Sequence, residues 1–207
     1  MAVELIPTLA LVYFPVLKEE QEKYWPEAPM VEWLAGQVEK ETCITLTHSK
    51  CWNPKAELKT SREYGFGLGQ LTVTAKFNNF EAAKTWDKGL ADWKWEDRYN
   101  ANYQLRALVV YMRNLNGRVK GEANEREGYA MTLSAYNGGL GGLLKDRALC
   151  GNTRGCDSSK WYGNVEHTST KAKTAVKGYG KSFFEINRGY VSSIMNYRYK
   201  KYEALND

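Results

Sequence analysis

The sequence predicts a mainly α-helical bundle with one small β or loop region. Three observations lead there. Apolar residues recur at helical spacing in several separate stretches. Residues 44–70 lose that period and collect the turn signals Asn53-Pro54, Gly65, Gly67 and Gly69. The 207 residues, 43% hydrophobic and 26% charged, suit a folded core and neither a disordered tail nor a membrane-spanning chain. Residues 1–207 are read as a single domain, with 1–28 an N-terminal helical extension packed on it.

The elements follow in order. The run from Leu5 to Leu17 is apolar, but Glu4, Pro7 and Pro15, together with the lack of a basic leader, argue against a signal peptide and for an N-terminal helix. Pro29 opens a helix over 29–42, where Val31, Leu34 and Val38 form an inward stripe. Residues 44–70 then make a loop or small β region, the expected wall of a cleft. Leu105, Leu108, Val109 and Met112 lie on a central helix. Tyr129, Leu133 and Tyr136 mark another, interrupted at Gly138-Gly139, and Leu140, Leu143 and Leu144 resume on a new axis. Residues 151–182 read as a long surface segment. A closing helix from about Phe183 carries Tyr190, Ile194 and Tyr197.

The net charge is +5, and from Lys160 onward nine Lys/Arg face four Asp/Glu. The C-terminal region, Lys200 and Lys201 included, is therefore expected to seek a polyanion. No zinc-finger, homeodomain or ribonucleoprotein pattern occurs, so nucleic acid is not the expected partner. Seven Trp and fourteen Tyr suit either a stacking groove or a well-filled core. Cys43/Cys51 and Cys150/Cys156 form two close pairs. A reducing cytosol favours free thiols, with disulfides as the alternative. Cys43, His48 and Cys51 offer three ligands where structural zinc normally takes four, and no metal or cofactor is expected.

The stripe of the 29–42 helix continues to Glu41, at i+10 from Val31. Glu39, about 200° around the helix, is expected to face solvent. A carboxylate on an apolar stripe is costly when ionised, and a carboxylic acid held neutral is what glycosidic-bond cleavage needs. Glu41 is thus the first catalytic candidate, the alternative being a core-edge glutamate paired with Arg or Lys.

Four segments extend the pattern: Val38-Glu39-Lys40-Glu41-Thr42, Gly67-Leu68-Gly69-Gln70, Ala135-Tyr136-Asn137-Gly138-Gly139, and Glu185-Ile186-Asn187-Arg188-Gly189-Tyr190-Val191. In content and order, over roughly residues 30–195, they resemble the soluble lytic transglycosylases and goose-type lysozymes. Those families carry hydrophobic-x-x-Glu-Ser, Gly-Leu-Met-Gln, Ala-Tyr-Asn-Ala-Gly and Glu-Thr-Arg-x-Tyr-Val. The resemblance implies a lysozyme-like α+β fold and a phage endolysin, expected to be monomeric. It would be made in the host cytoplasm without a signal peptide and act on periplasmic peptidoglycan after release.

The resemblance makes Glu41 the acid and Thr42 its neighbour in place of the usual Ser. It makes Ser61 a partner of the catalytic carboxyl, and Gln70, Tyr136 and Asn137 the lining of the sugar cleft. Tyr190 would help to position acid or substrate, and Glu185 would meet the peptide stem. Gly69 departs from the family Met, and the stretch from Glu41 to Gln70 is longer than in many members.

The expected substrate is the peptidoglycan glycan strand, with the anionic bacterial envelope engaged by the basic C-terminal region. A transglycosylase needs one carboxylate and leaves 1,6-anhydro ends. A hydrolytic lysozyme needs a second to activate water, and Glu63 is the candidate for that role. A non-catalytic wall-binding protein is the remaining alternative.

Overall fold

Helix α1 (Thr8–Tyr24) starts directly after Pro7 and buries Ala10, Phe14, Leu17, Glu20 and Gln21 on one face. Pro15 interrupts its hydrogen bonding on the exposed side, where water can satisfy the released carbonyl. The computed structural model describes residues 5–60 and 63–206. Ser61 lies outside the described residues. The chain divides into two compact units, one of Met1–Arg113 with Asn196–Asp207 and one of Asn114–Met195. The architecture is mainly α with one small antiparallel sheet.

In the first unit α2 (Val31–Thr42) is buried at every position from Val31 to Glu39. The C-terminal 3-10 segment Arg198–Leu205 covers one side of it. Gly36 permits this approach, since a Cβ there would come within 3.1 Å of the Tyr199 amide nitrogen. The expectation for Glu39 is corrected here. It is only 1% exposed and accepts from Arg198 (2.6 Å), Lys201 (3.1 Å) and the Tyr202 hydroxyl (2.6 Å). Helical periodicity registers one covered face and is blind to a second face covered by residues about 160 positions away.

The sheet has the order β1 (Glu57–Lys59), β2 (Tyr64–Phe66), β3 (Leu71–Val73), with Glu57 opposite Phe66 and Phe66 opposite Leu71. Phe66 and Leu71 pack with Phe80 of α3 (Asn79–Ala83), with Leu90 and Trp93, and with Ala107 and Val110 of α4 (Ala101–Asn116). Tyr24, Tyr64, Trp86 and Tyr103 border this cluster, so much of the aromatic content serves the core. Glu20 of α1 and Arg106 of α4 form a two-pronged ion pair, both contacts at 2.9 Å. That fork anchors the N-terminal helix by geometry as well as charge.

In the second unit α5 (Glu125–Gly138) is capped by Asn124, whose side chain accepts from the Glu127 amide. It ends at Gly139, where φ of +80° turns the chain into α6 (Leu140–Gly151). The irregular stretch that follows is less superficial than its composition suggests, because Trp161, Val165 and Ser182 are buried. It leads to α7 (Phe183–Asn196). Asp146, fully buried, draws this stretch inward by accepting from Lys171 (2.8 Å), Arg188 (3.0 Å) and the Thr170 amide (2.9 Å).

The cysteines form two disulfides, Cys43–Cys51 and Cys150–Cys156, in place of the expected thiols. Spacing alone could not decide this, because bridging depends on how the intervening turns return the chain. Removing the first bridge by Cys43→Ser/Cys51→Ser is expected to cost about 2–3 kcal/mol of loop entropy. Urea denaturation checks it, and a midpoint equal to that of the intact protein would show that other contacts already hold the loop.

Candidate active site

Glu41 stands on the last turn of α2, half-buried, and lines a cavity of about 180 Å³. The stripe that is core at Val31, Leu34 and Val38 opens at this turn into a pocket, so Glu41 is neither core nor freely solvated. Thr42, Lys50, Glu57 and Gln70 line the same cavity, with Ile44, Ala56 and Leu58 as its apolar wall.

Thr42 is buried, and its hydroxyl donates to Val38 O (2.8 Å) while accepting from the Trp52 amide (2.9 Å). It ties the acid-bearing turn to the disulfide loop, so its hydroxyl is occupied by backbone. Gln70 closes the β2–β3 connection with φ of +45°. Its amide nitrogen donates to Gly67 O (2.8 Å) and Ala56 O (3.2 Å), while its buried Oε1 has no hydrogen-bond partner among the described residues. Gly67 is required on two grounds: φ is +78°, and a Cβ would come within 2.5 Å of the Gln104 side chain. Gln104 in turn accepts from the Leu68 amide and donates to Pro54 O and Arg98 O. The Gly-Leu-Gly-Gln segment is therefore a rigid turn that holds Gln70 at the pocket.

Glu63 does not line the cavity. It sits at the tip of the β1–β2 hairpin, where its backbone pairs with Thr60. The second carboxylate at the pocket is Glu57, which sequence reasoning missed. The hydroxyls of Tyr64 and Tyr99 both donate to Glu57 Oε1, and Oε2 receives no hydrogen bond from the described residues. These two bonds, outweighing partial desolvation and aided by the Arg98 charge, hold the Glu57 carboxyl below its usual range. Burial, and then the bond to Glu57, push the Tyr64 hydroxyl above the usual phenol range. Lys50 Nζ donates to Glu57 O at 2.6 Å, joining the disulfide loop to β1. Tyr99 lies 42 residues from Glu57 in sequence, which left this network without a local signal.

The second unit brings together three further residues of the motif set. Tyr136 and Tyr190 stack with centroids 6.4 Å apart and planes 9° apart. Asn137 is exposed at the end of α5, its Oδ1 accepting from Asn187 (3.1 Å). Asn187 is buried and also joins Ser134, donating to its carbonyl and accepting from its hydroxyl. Glu185 is exposed and forms a capping box with Ser182: Ser182 N and Oγ donate to its Oε2, and its own amide donates back to Ser182 Oγ. Those bonds lower the Glu185 carboxyl below its usual range. Its evident task is to start α7.

Cys43 and Cys51 are bonded to each other, and His48 Nδ1 accepts from the Lys50 amide. Among the described residues no group of three or more His, Cys, Asp or Glu could hold a metal ion. None of the described helices is long and apolar enough to cross a membrane. No protein-family model matches the chain, and no curated protein matches it.

Proposed function

We propose that the chain is a lysozyme-like peptidoglycan glycosidase of the endolysin type, cleaving the β-1,4 bond between N-acetylmuramic acid and N-acetylglucosamine as a lytic transglycosylase. The observation that carries the reading is that Glu41 and Gln70, from two separate motifs, line one cavity. Glu41 donates a proton to the bridging oxygen as an oxocarbenium-like state develops. The same carboxylate then takes the proton of the muramic acid 6-hydroxyl, which closes on the anomeric carbon and leaves a 1,6-anhydro end. Gln70 lines the same cavity, its side chain held in place by Gly67 O and Ala56 O, and supports the reading as a residue of the sugar-binding wall. In the second unit Asn137 is exposed and Tyr136 half-buried, while Tyr190 is buried and stacked on Tyr136, so Asn137 and Tyr136 are the members of that set open to a ligand.

Hydrolysis is the second reading, and the observation favouring it is Glu57. A carboxylate kept ionised, with one oxygen held by two tyrosines and the other accepting no hydrogen bond from the described residues, is suited to orient a water. In this reading Glu57 takes the role expected of Glu63. Mass spectrometry of digested purified peptidoglycan separates the two. Anhydro-muramic ends, unchanged in Glu57→Gln, are the expected result. Reducing ends lost in Glu57→Gln would replace transglycosylation by hydrolysis, and no cleavage at all would overturn the assignment as a glycosidase.

A further inference from the structure

The positive charge of the C-terminal quarter is displayed elsewhere than its sequence suggests. Lys201 and Arg198 are committed to Glu39, Lys171 and Arg188 to Asp146, and Lys160 is paired with Asp157. Of the two lysines expected at an envelope-binding surface, Lys201 is largely buried in its ion pair, whereas Lys200 is exposed. What stands out is one loop of the second unit. Lys173, Lys177 and Lys181 are all exposed, and no Asp or Glu occurs between Glu166 and Glu185.

This loop is built to hold a shape. At one end Lys171 is bound to Asp146, at the other Ser182 and Glu185 form the capping box, and the Phe184 amide donates to Ala172 O to close the base. Within it, the Val176 amide donates to Lys181 O and the Tyr179 amide to Val176 O. Gly178 (φ +93°) and Gly180 (φ +66°) flank Tyr179 in backbone conformations that side-chain-bearing residues rarely adopt. The tight turn leaves Tyr179 44% exposed, and Phe183 is 49% exposed with its ring 6.3 Å from that of Tyr179.

A solvated basic loop has no use for two outward aromatic rings. Lysines alone would fit any polyanion, whereas lysines bracketing exposed aromatics fit a surface that is anionic outside and apolar just beneath. Aromatic rings favour the headgroup level of a bilayer, and each lysine close to an anionic leaflet strengthens attachment. Because the loop is pinned at both ends, little ordering cost remains to be met on contact. The geometry points to the 172–184 loop as a peripheral docking element for bilayers rich in anionic phospholipid. Tyr179 and Phe183 enter the headgroup layer, and Lys173, Lys177 and Lys181 meet the lipid phosphates.

The test is co-sedimentation of the full chain with vesicles of phosphatidylcholine alone or mixed with phosphatidylglycerol. The vesicles carry no glycan, so this inference and the glycosidase reading fail separately. Wild-type protein is expected to bind the phosphatidylglycerol vesicles preferentially, and less so as salt rises. Lys173→Gln/Lys177→Gln/Lys181→Gln should weaken that binding about 100-fold at low salt, three lysines at about fivefold each. Tyr179→Ser, which leaves α7 untouched, should weaken binding at every salt concentration. Equal binding to both vesicle types, or wild-type affinity in the triple variant, overturns the proposal. So does lysine-dependent binding to duplex DNA without binding to vesicles, which would make the loop a site for a soluble polyanion.

Discussion

Glu41→Gln is expected to lower the rate of peptidoglycan cleavage by about 10²- to 10⁴-fold, the range one positioned acid–base group supplies. Thermal stability should hardly move. The amide keeps the size of the side chain but can neither deliver a proton to the glycosidic oxygen nor accept one from the 6-hydroxyl. Glu41 is half-buried at a pocket rim, so the exchange asks little of the fold. Release of soluble muropeptides from purified walls measures the rate, and a melting curve of the same protein supplies the control. Lysis at the wild-type rate would place the chemistry on another residue. Two residues upstream the physical situation is the opposite: Glu39 is enclosed by Arg198, Lys201 and Tyr202, and its charge serves the fold.

The second large effect is expected at Asp146. Asp146→Asn removes the charge opposite Lys171 and Arg188, whose side chains are only 12% exposed. Removing one partner of a buried pair costs about 3–5 kcal/mol. The lower end applies here, because Arg188 keeps the carbonyls of Val165, Glu166 and Thr168 as acceptors. The sign with pH is also defined. Burial works to raise the Asp146 carboxyl, but the Lys171 bond, the Thr170 amide and the charges of Lys171 and Arg188 outweigh it and hold it below its usual value. Its stabilisation is therefore complete above the unfolded aspartate value, near about 3.9, and is lost as pH falls through the lower folded value. Urea denaturation at neutral and acid pH reads both effects: the variant should be weaker at pH 7 and lose less on acidification. Equal midpoints at pH 7 would mean that Asp146 contributes no net stability.

The helices were legible in the chain because their causes are local. Val31, Leu34 and Val38 mark α2 through a 3.6-residue period, and the break at Gly139 follows from a φ that glycine adopts freely. Gly67 and Gly69 signalled a turn, although the reason Gly67 must lack a side chain, the approach of Gln104, is 37 residues away. The Cys43/Cys51 spacing admitted thiols or a bridge without deciding between them, and Glu185, expected to meet a peptide stem, carries a helix cap that the sequence reading did not foresee.

The assignment of the carboxylates shows where such reading stops. Periodicity placed Glu41 and Glu39 on different sides of one helix, and that angular relation is a property of the α-helix itself. Which of the two is enclosed, and by what, depends on the Arg198–Leu205 segment folding back on α2, as the pocket partner of Glu41 depends on a strand register that favours Glu57 over Glu63. Local periods and backbone preferences act over a few residues and are written in consecutive positions. Burial, ion pairing and pocket shape arise between positions far apart in the chain, and only the packed molecule brings those positions together.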